Sequence, residues 1–209
     1  MSFYSDRVFP VICGGLTRRF EPDRAELLGT ATGRVLEIGP GAGTGFSNYT
    51  EKAREVVGLE YSAGMLEKAH AEVRRLAEGG ELRTKVALTQ GSVTDLEFED
   101  GSFDTVISFL VFCSVPDPEA AAREVHRVLK PGGRFLFFEH VRAPDPGLAR
   151  WQRRLNPIWT KLACGCNLDR DTRALFESVG FRFDPIHEFD HPGSMRLTRR
   201  KIRGVATKP

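Results

Sequence analysis

Cysteine is scarce in this chain: four in 209 residues, at positions 13, 113, 164 and 166. No two are spaced as a CxxC pair, and the tight Cys164-Gly165-Cys166 has no second pair to complete a zinc knuckle. The sequence alone therefore offers no metal constellation, and all four read as reduced thiols of a cytoplasmic protein. Histidine is nearly as sparse, with five, so proton carriers are few. Charge of one sign is not in excess. A net charge of +2 gives no electrostatic case for a nucleic-acid partner. The run Arg196, Arg199, Arg200, Lys201 and Arg203 reads as a solvated face, with anionic lipid as the alternative. The apolar stretch 8–16 falls short of the roughly 20 residues that span a bilayer. Flanked by Arg7 and by Arg18-Arg19, it reads as a lid over a pocket or as a segment lying on a membrane surface. Internal repeats and low-complexity tracts are also missing, as is any Gly-Lys-Ser or Gly-Lys-Thr of a phosphate loop.

What is present is an alternation of periods. Apolar strand patterns near 34–38, 55–60, 85–89, 104–110 and 133–140 alternate with helical ones, which predicts an α/β, doubly wound parallel sheet. Ser62 fits an N-cap, and Met65, Leu66, Ala69, Val73 and Leu76 follow at helical spacing. The stretch 104–110 is almost wholly apolar, as a strand buried on both faces should be. Helix ends and strand begins around the Pro131-Gly132-Gly133 turn. Residues 145–163 form a mixed apolar and basic insertion, 169–178 read as a helix ended by Gly180, and 181–189 and 202–207 read as two last strands. The length suits one domain over 1–209, with 1–30 as an N-terminal lid segment and 145–180 as an insertion free to shape a pocket.

Residues 35–45 read Val-Leu-Glu-Ile-Gly-Pro-Gly-Ala-Gly-Thr-Gly. Glycines at alternate positions let a backbone turn sharply and approach a ligand closely. Glu37 stands two residues before the first of them, and Glu60 ends the next apolar run. An acid about 20 residues beyond such a loop suits hydrogen bonds to a ribose diol, which points to an adenosine-bearing cofactor. The spacing of Gly39, Gly41 and Gly43 is G-x-G-x-G, not the G-x-G-x-x-G of dinucleotide binders. An ordinary strand-turn-helix with packing glycines is the bland alternative.

The loop is accompanied by Val56-Val57-Gly58-Leu59-Glu60, Gly91-Ser92-Val93-Thr94-Asp95-Leu96, Phe103-Asp104 and Leu129-Lys130-Pro131-Gly132-Gly133-Arg134-Phe135. Over residues 33–140 these blocks resemble the class I S-adenosylmethionine (SAM) methyltransferases, in the large group that includes the ubiquinone and menaquinone C-methylases. The resemblance implies a Rossmann-like seven-stranded sheet with an antiparallel terminal hairpin. It implies SAM as cofactor and S-adenosylhomocysteine as product. It also implies cofactor contacts from Glu37, Gly39, Gly41, Gly43, Glu60, Tyr61, Met65, Ser92, Val93, Ser108 and Phe109. Many members carry Asp where this chain has Ser92, whose hydroxyl, with the Val93 N–H, is left to read the adenine.

Methyl transfer from a sulfonium needs the acceptor held in line and water kept out, and a general base is optional. His140, at the end of the fifth strand pattern, is the candidate base, and a loop hydrogen bond is its alternative role. Leu110-Val111-Phe112-Cys113-Ser114-Val115, Glu139-His140-Val141, Asn156-Pro157-Ile158-Trp159 and Gly165-Cys166-Asn167-Leu168-Asp169-Arg170 resemble the methyltransferase-like seven branch. That branch is associated with S-methylation of small lipophilic thiols. A small-molecule thiol acceptor is thus expected, with peripheral membrane contact open. Phospholipid (phosphatidylethanolamine) N-methylation and a catalytically silent SAM-binding module are the alternatives. Neither Asn-Pro-Pro-Tyr nor Asp-Pro-Pro-Tyr follows the fourth strand, where base methylases carry it.

Overall fold

The computed structural model describes residues 18–163 and 165–209. The apolar stretch 8–16, Cys13 and Cys164 lie outside the described residues. Five helices and eight strands follow in order among the described residues: α1 (Glu21–Gly29), β1 (Gly33–Ile38), β2 (Ala53–Glu60), α2 (Ala63–Glu78), β3 (Lys85–Gln90), β4 (Phe103–Phe109), α3 (Pro118–Val128), β5 (Leu129–His140), α4 (Pro146–Leu162), α5 (Thr172–Ser178), β6 (Arg182–Phe183), β7 (His187–Asp190) and β8 (Arg200–Thr207).

The sheet runs β3-β2-β1-β4-β5-β8-β6, with β7 also on β8. Strands β1 to β5 pair in parallel, and β8 pairs antiparallel with β5, β6 and β7. The chain winds outward one way from β1 to β3 and the other way from β4. Neighbours β1 and β4 therefore form a topological switch point, where open α/β sheets bind ligands beyond their strand ends.

Strand alternation divides the core in two. Val35, Ile107 and Leu136 face a cluster with Leu28 of α1 and Ala69 and Leu76 of α2. Leu36, Val106, Phe135 and Phe137 face the other, with Val125 of α3 and Phe176 of α5. Aromatic rings fill that second side: Phe176 meets Phe112, Phe135 and Phe137 at centroid distances of 4.8–5.2 Å.

Local chemistry sets the helix starts. Ser62 accepts from Met65 N at 3.3 Å, as its N-cap placement predicts. Asp117 accepts from Ala120 N at 2.9 Å, with Pro118 preset for the first helical position. Asp117→Ala is expected to cost about 1 kcal/mol in urea unfolding, and an unchanged midpoint would show that this cap contributes nothing.

Three readings are refined. The run 181–189 is not one strand: Pro185 lacks an N–H to donate, and pairing lapses between Phe183 and His187. The two pieces share one edge of β8, so seven strand positions hold eight segments. At Pro131-Gly132-Gly133 the chain makes a bulge inside β5, with Leu129 opposite Phe103 and Arg134 opposite Thr105. The insertion at 145–163 is one helix, α4, capped by Asp145 and carrying Pro157 within it.

Candidate active site

The glycine loop leaves β1 at the switch point. Gly39, Gly41 and Gly43 all have positive φ, +63° to +79°, a region in which glycine is unstrained. Their surroundings differ. A Cβ on Gly39 would lie 2.7 Å from Val111, and one on Gly43 would lie 2.7 Å from the Phe46 ring. These two glycines are needed for packing. A Cβ on Gly41 would meet only Met65 Cε, at 3.5 Å, so Gly41 borders open space.

Glu60, at the end of β2, accepts from Gly41 N at 3.0 Å and from Ser62 N at 2.9 Å. Burial pushes its carboxyl up from the usual range, against the pull of those backbone N–H groups. A carboxylate offers about four lone-pair sites, so two donors leave room for a diol.

Glu37, expected among the cofactor contacts, has two side-chain partners within the protein. It is 1% exposed. One carboxylate oxygen meets the Arg24 guanidinium at 3.1 Å and the other accepts from Tyr49 OH at 2.9 Å. Burial, then Glu37, holds the Tyr49 hydroxyl well above its ordinary pKa. Arg24 also donates to Pro40 O at 3.2 Å, so α1 ties down the glycine loop through this pair. The acid before the loop thus has a structural set of partners, and Arg24 and Tyr49 carry no sequence signal of that role.

The remaining cofactor candidates spread along the same edge. Tyr61 is 67% exposed. The Ser92 hydroxyl is engaged by Thr94, at 2.7 Å from its Oγ1, and Val93 packs on the core. Ser108 is fully buried and donates to Glu139 Oε1 at 2.5 Å. Phe109 stacks on Phe138 at 4.8 Å, with Phe20 completing a small apolar cluster.

A second group of side chains gathers beyond β4 and β5. Leu110 turns the chain with φ +59°, unusual for a non-glycine. Glu139 Oε1 fixes the turn by accepting from Val111 N at 3.0 Å, and burial raises the Glu139 carboxyl to about 7. The loop after α4 is pinned onto this turn. Asn167 N donates to Cys113 O at 2.7 Å, Asn156 bonds Asn167 and Leu168, and the Arg170 guanidinium donates to the carbonyls of Phe112 and Val115.

Cys166 is thereby brought to Cys113 and His140. The three ligand atoms lie within 4.8 Å of one another. His140 is where β5 was expected to end, 3% exposed, with Nδ1 3.9 Å from Cys166 Sγ and no hydrogen-bond partner on Nε2. The hydrogen bond to Cys166 and burial push the Cys113 thiol well up, and the same bond lowers Cys166. The expectation of no metal-type constellation rested on spacing along the chain, whereas these residues converge from three separate segments. Lys201 joins them. It is 2% exposed rather than part of a solvated face, and burial lowers its pKa to about 8.

Comparison with known proteins fits this arrangement. Residues 36–137 match the family model described as a methyltransferase domain. The chain is 35% identical over 175 residues to human thiol S-methyltransferase TMT1A, covering 83% of this chain and 70% of that protein. The chain belongs to the SAM-dependent methyltransferases. It is also 33% identical over 196 residues to human thiol S-methyltransferase TMT1B, covering 83% of this chain and 75% of that protein. A phosphatidylethanolamine N-methyltransferase of Cereibacter sphaeroides is 32% identical over 130 residues, 59% of this chain and 62% of that one. A SAM-dependent methyltransferase structure from Methanosarcina mazei has a TM-score of 0.66 at 21% identity, over 84% of this chain and 92% of that chain. One from Mesorhizobium loti has 0.64 at 22%, over 90% and 97%. These two show a shared fold.

The residues of this methyltransferase suit an adenosine cofactor. The face of Gly41 is open where a side chain would intrude, and Glu60 keeps acceptor capacity beside it. No helix among the described residues is long and apolar enough to cross a membrane.

Proposed function

We propose that this chain transfers the methyl group of SAM to a small lipophilic thiol. The observation that carries the reading is the 35% identity to a thiol S-methyltransferase across 83% of the chain, well beyond the glycine-loop half. When bound, SAM supplies a methyl group already activated by its positive sulfur. The acceptor sulfur gains the methyl as the sulfonium S–CH3 bond breaks, and the thiol proton leaves to water or to a base.

The protein's part is placement. Backbone groups of Gly39, Gly41 and Gly43 hold the cofactor's methionine end, and Glu60 takes the ribose hydroxyls. Met65 lines the loop. Tyr61, Ser92 and Val93 serve the adenine side, Ser108 and Phe109 form the wall at β4, and Glu37 supports the loop through Arg24. His140 is assigned to the acceptor side. The apolar face of α4 supports a lipophilic acceptor: Trp151, Ile158 and Leu162 are 57–62% exposed.

The test is calorimetric titration of S-adenosylhomocysteine, then turnover against a thiol panel. Glu60→Ala is expected to weaken binding by about 1–3 kcal/mol through lost hydrogen bonds. Binding without turnover of any thiol would overturn the acceptor. A second reading, phosphatidylethanolamine N-methylation, draws on the Cereibacter sphaeroides relative. It also draws on Arg150, Arg153 and Arg154, exposed beside that apolar face. Flotation with anionic liposomes and turnover of phosphatidylethanolamine but not of thiols would favour it.

A further inference from the structure

We infer that Cys113, His140 and Cys166 form a three-ligand site for a zinc-like divalent ion, with one coordination position left for a further ligand. The donor set decides the class of ion. Two thiols and an imidazole select zinc and its thiophilic neighbours over magnesium or calcium, which take oxygen. Both cysteines are free thiols. Binding releases a proton from each thiol to solvent, and their negative charges balance the ion.

The distances suit an ion. Zinc sits about 2.3 Å from sulfur and about 2.1 Å from imidazole nitrogen, which separates tetrahedral ligands by roughly 3.6–3.8 Å. His140 Nδ1 and Cys166 Sγ are already 3.9 Å apart, and all three ligand atoms lie within 4.8 Å of one another. Closure to coordination distance therefore asks for shortening by about 1 Å at most.

A second observation points the same way. A buried histidine that is merely structural ordinarily gives its ring nitrogens to oxygen partners. Here the nitrogen on the site side, Nδ1, faces sulfur at 3.9 Å instead. The support around the three ligands is built rather than incidental. Arg170 holds the Cys113 turn by two carbonyls, and Asn156 and Asn167 hold the Cys166 loop to α4 and to Cys113 O. Lys201 and Arg170 are the cations that act on the two thiols, and Glu139 is the anion. A Cys166 thiolate held by the Cys113 thiol and these cations, without metal, is therefore the competing arrangement.

The experiment uses the full chain, reduced with a phosphine, stripped of metal and dialysed against zinc or cobalt(II). The expected result is about one equivalent of zinc per chain and, with cobalt, a thiolate-to-metal charge-transfer band. Cys166 is partly exposed, so Cys166→Ser should fold, checked by its metal-free melting, and should weaken zinc binding about 100-fold. His70→Ala, on the exposed side of α2, should bind as the parent does. Substoichiometric uptake by the reduced parent would overturn the site, as would a cobalt spectrum without the thiolate band. So would full retention of zinc in both Cys166→Ser and His140→Ala.

Discussion

Gly41→Val is expected to reduce S-adenosylhomocysteine binding below calorimetric detection while the protein still folds. The position explains both halves. Gly41 is open to everything but Met65 Cε, so a valine finds room in the ligand-free protein. It then fills the space the loop keeps for the cofactor. Its φ of +63° adds about 1 kcal/mol of strain for a side chain, too little to unfold a chain of this size. Gly39→Val is the contrast: a Cβ at 2.7 Å from Val111 turns the same change into a folding defect. Near-parental affinity in the Gly41 variant would remove the loop from the cofactor site.

Glu37→Ala is expected to cost about 3–5 kcal/mol, some 10 °C of melting temperature. The loss is large because two buried groups lose their partner at once. Arg24 is left with its charge facing Pro40 O and the weak contact to Thr44 Oγ1 at 3.5 Å, and the Tyr49 hydroxyl has none. A paired replacement, Arg24→Met with Glu37→Met, should recover much of the loss, since a buried ion pair is weak evidence of net stabilisation. A melting shift under 2 °C for Glu37→Ala would mean that the pair is dispensable. A paired variant no better than Glu37→Ala would mean that Tyr49 dominates.

The central sheet was legible because strands buried on both faces and capped helices write their periods into the sequence. Ser62, the run at 104–110 and the glycine loop each carry a local signal. The edge was less legible: 181–189 looks like one strand until Pro185 is asked for a donor it lacks. Lys201 looked like part of a basic surface run, but both faces of β8 are covered there, and it is buried next to Ile202. Of the candidate site, Gly41 and Glu60 could be read from spacing. The partners of Glu37 could not, since Arg24 and Tyr49 lie 13 and 12 residues away in sequence. Nor could the gathering of Cys113, His140 and Cys166, which depends on how two loops are pinned across strand ends.

The place of β8 bears on how the protein is made. It is the last strand of the sheet in sequence, yet it lies between β5 and the short edge pieces β6 and β7. Until residue 207 has left the ribosome, β5 presents an open flank of hydrogen-bonding groups beside Phe135, Phe137 and Phe138. Such a flank can pair with other chains. Slow or interrupted synthesis of the stretch that holds β8 should therefore show up as aggregation of nascent chains rather than as a soluble intermediate.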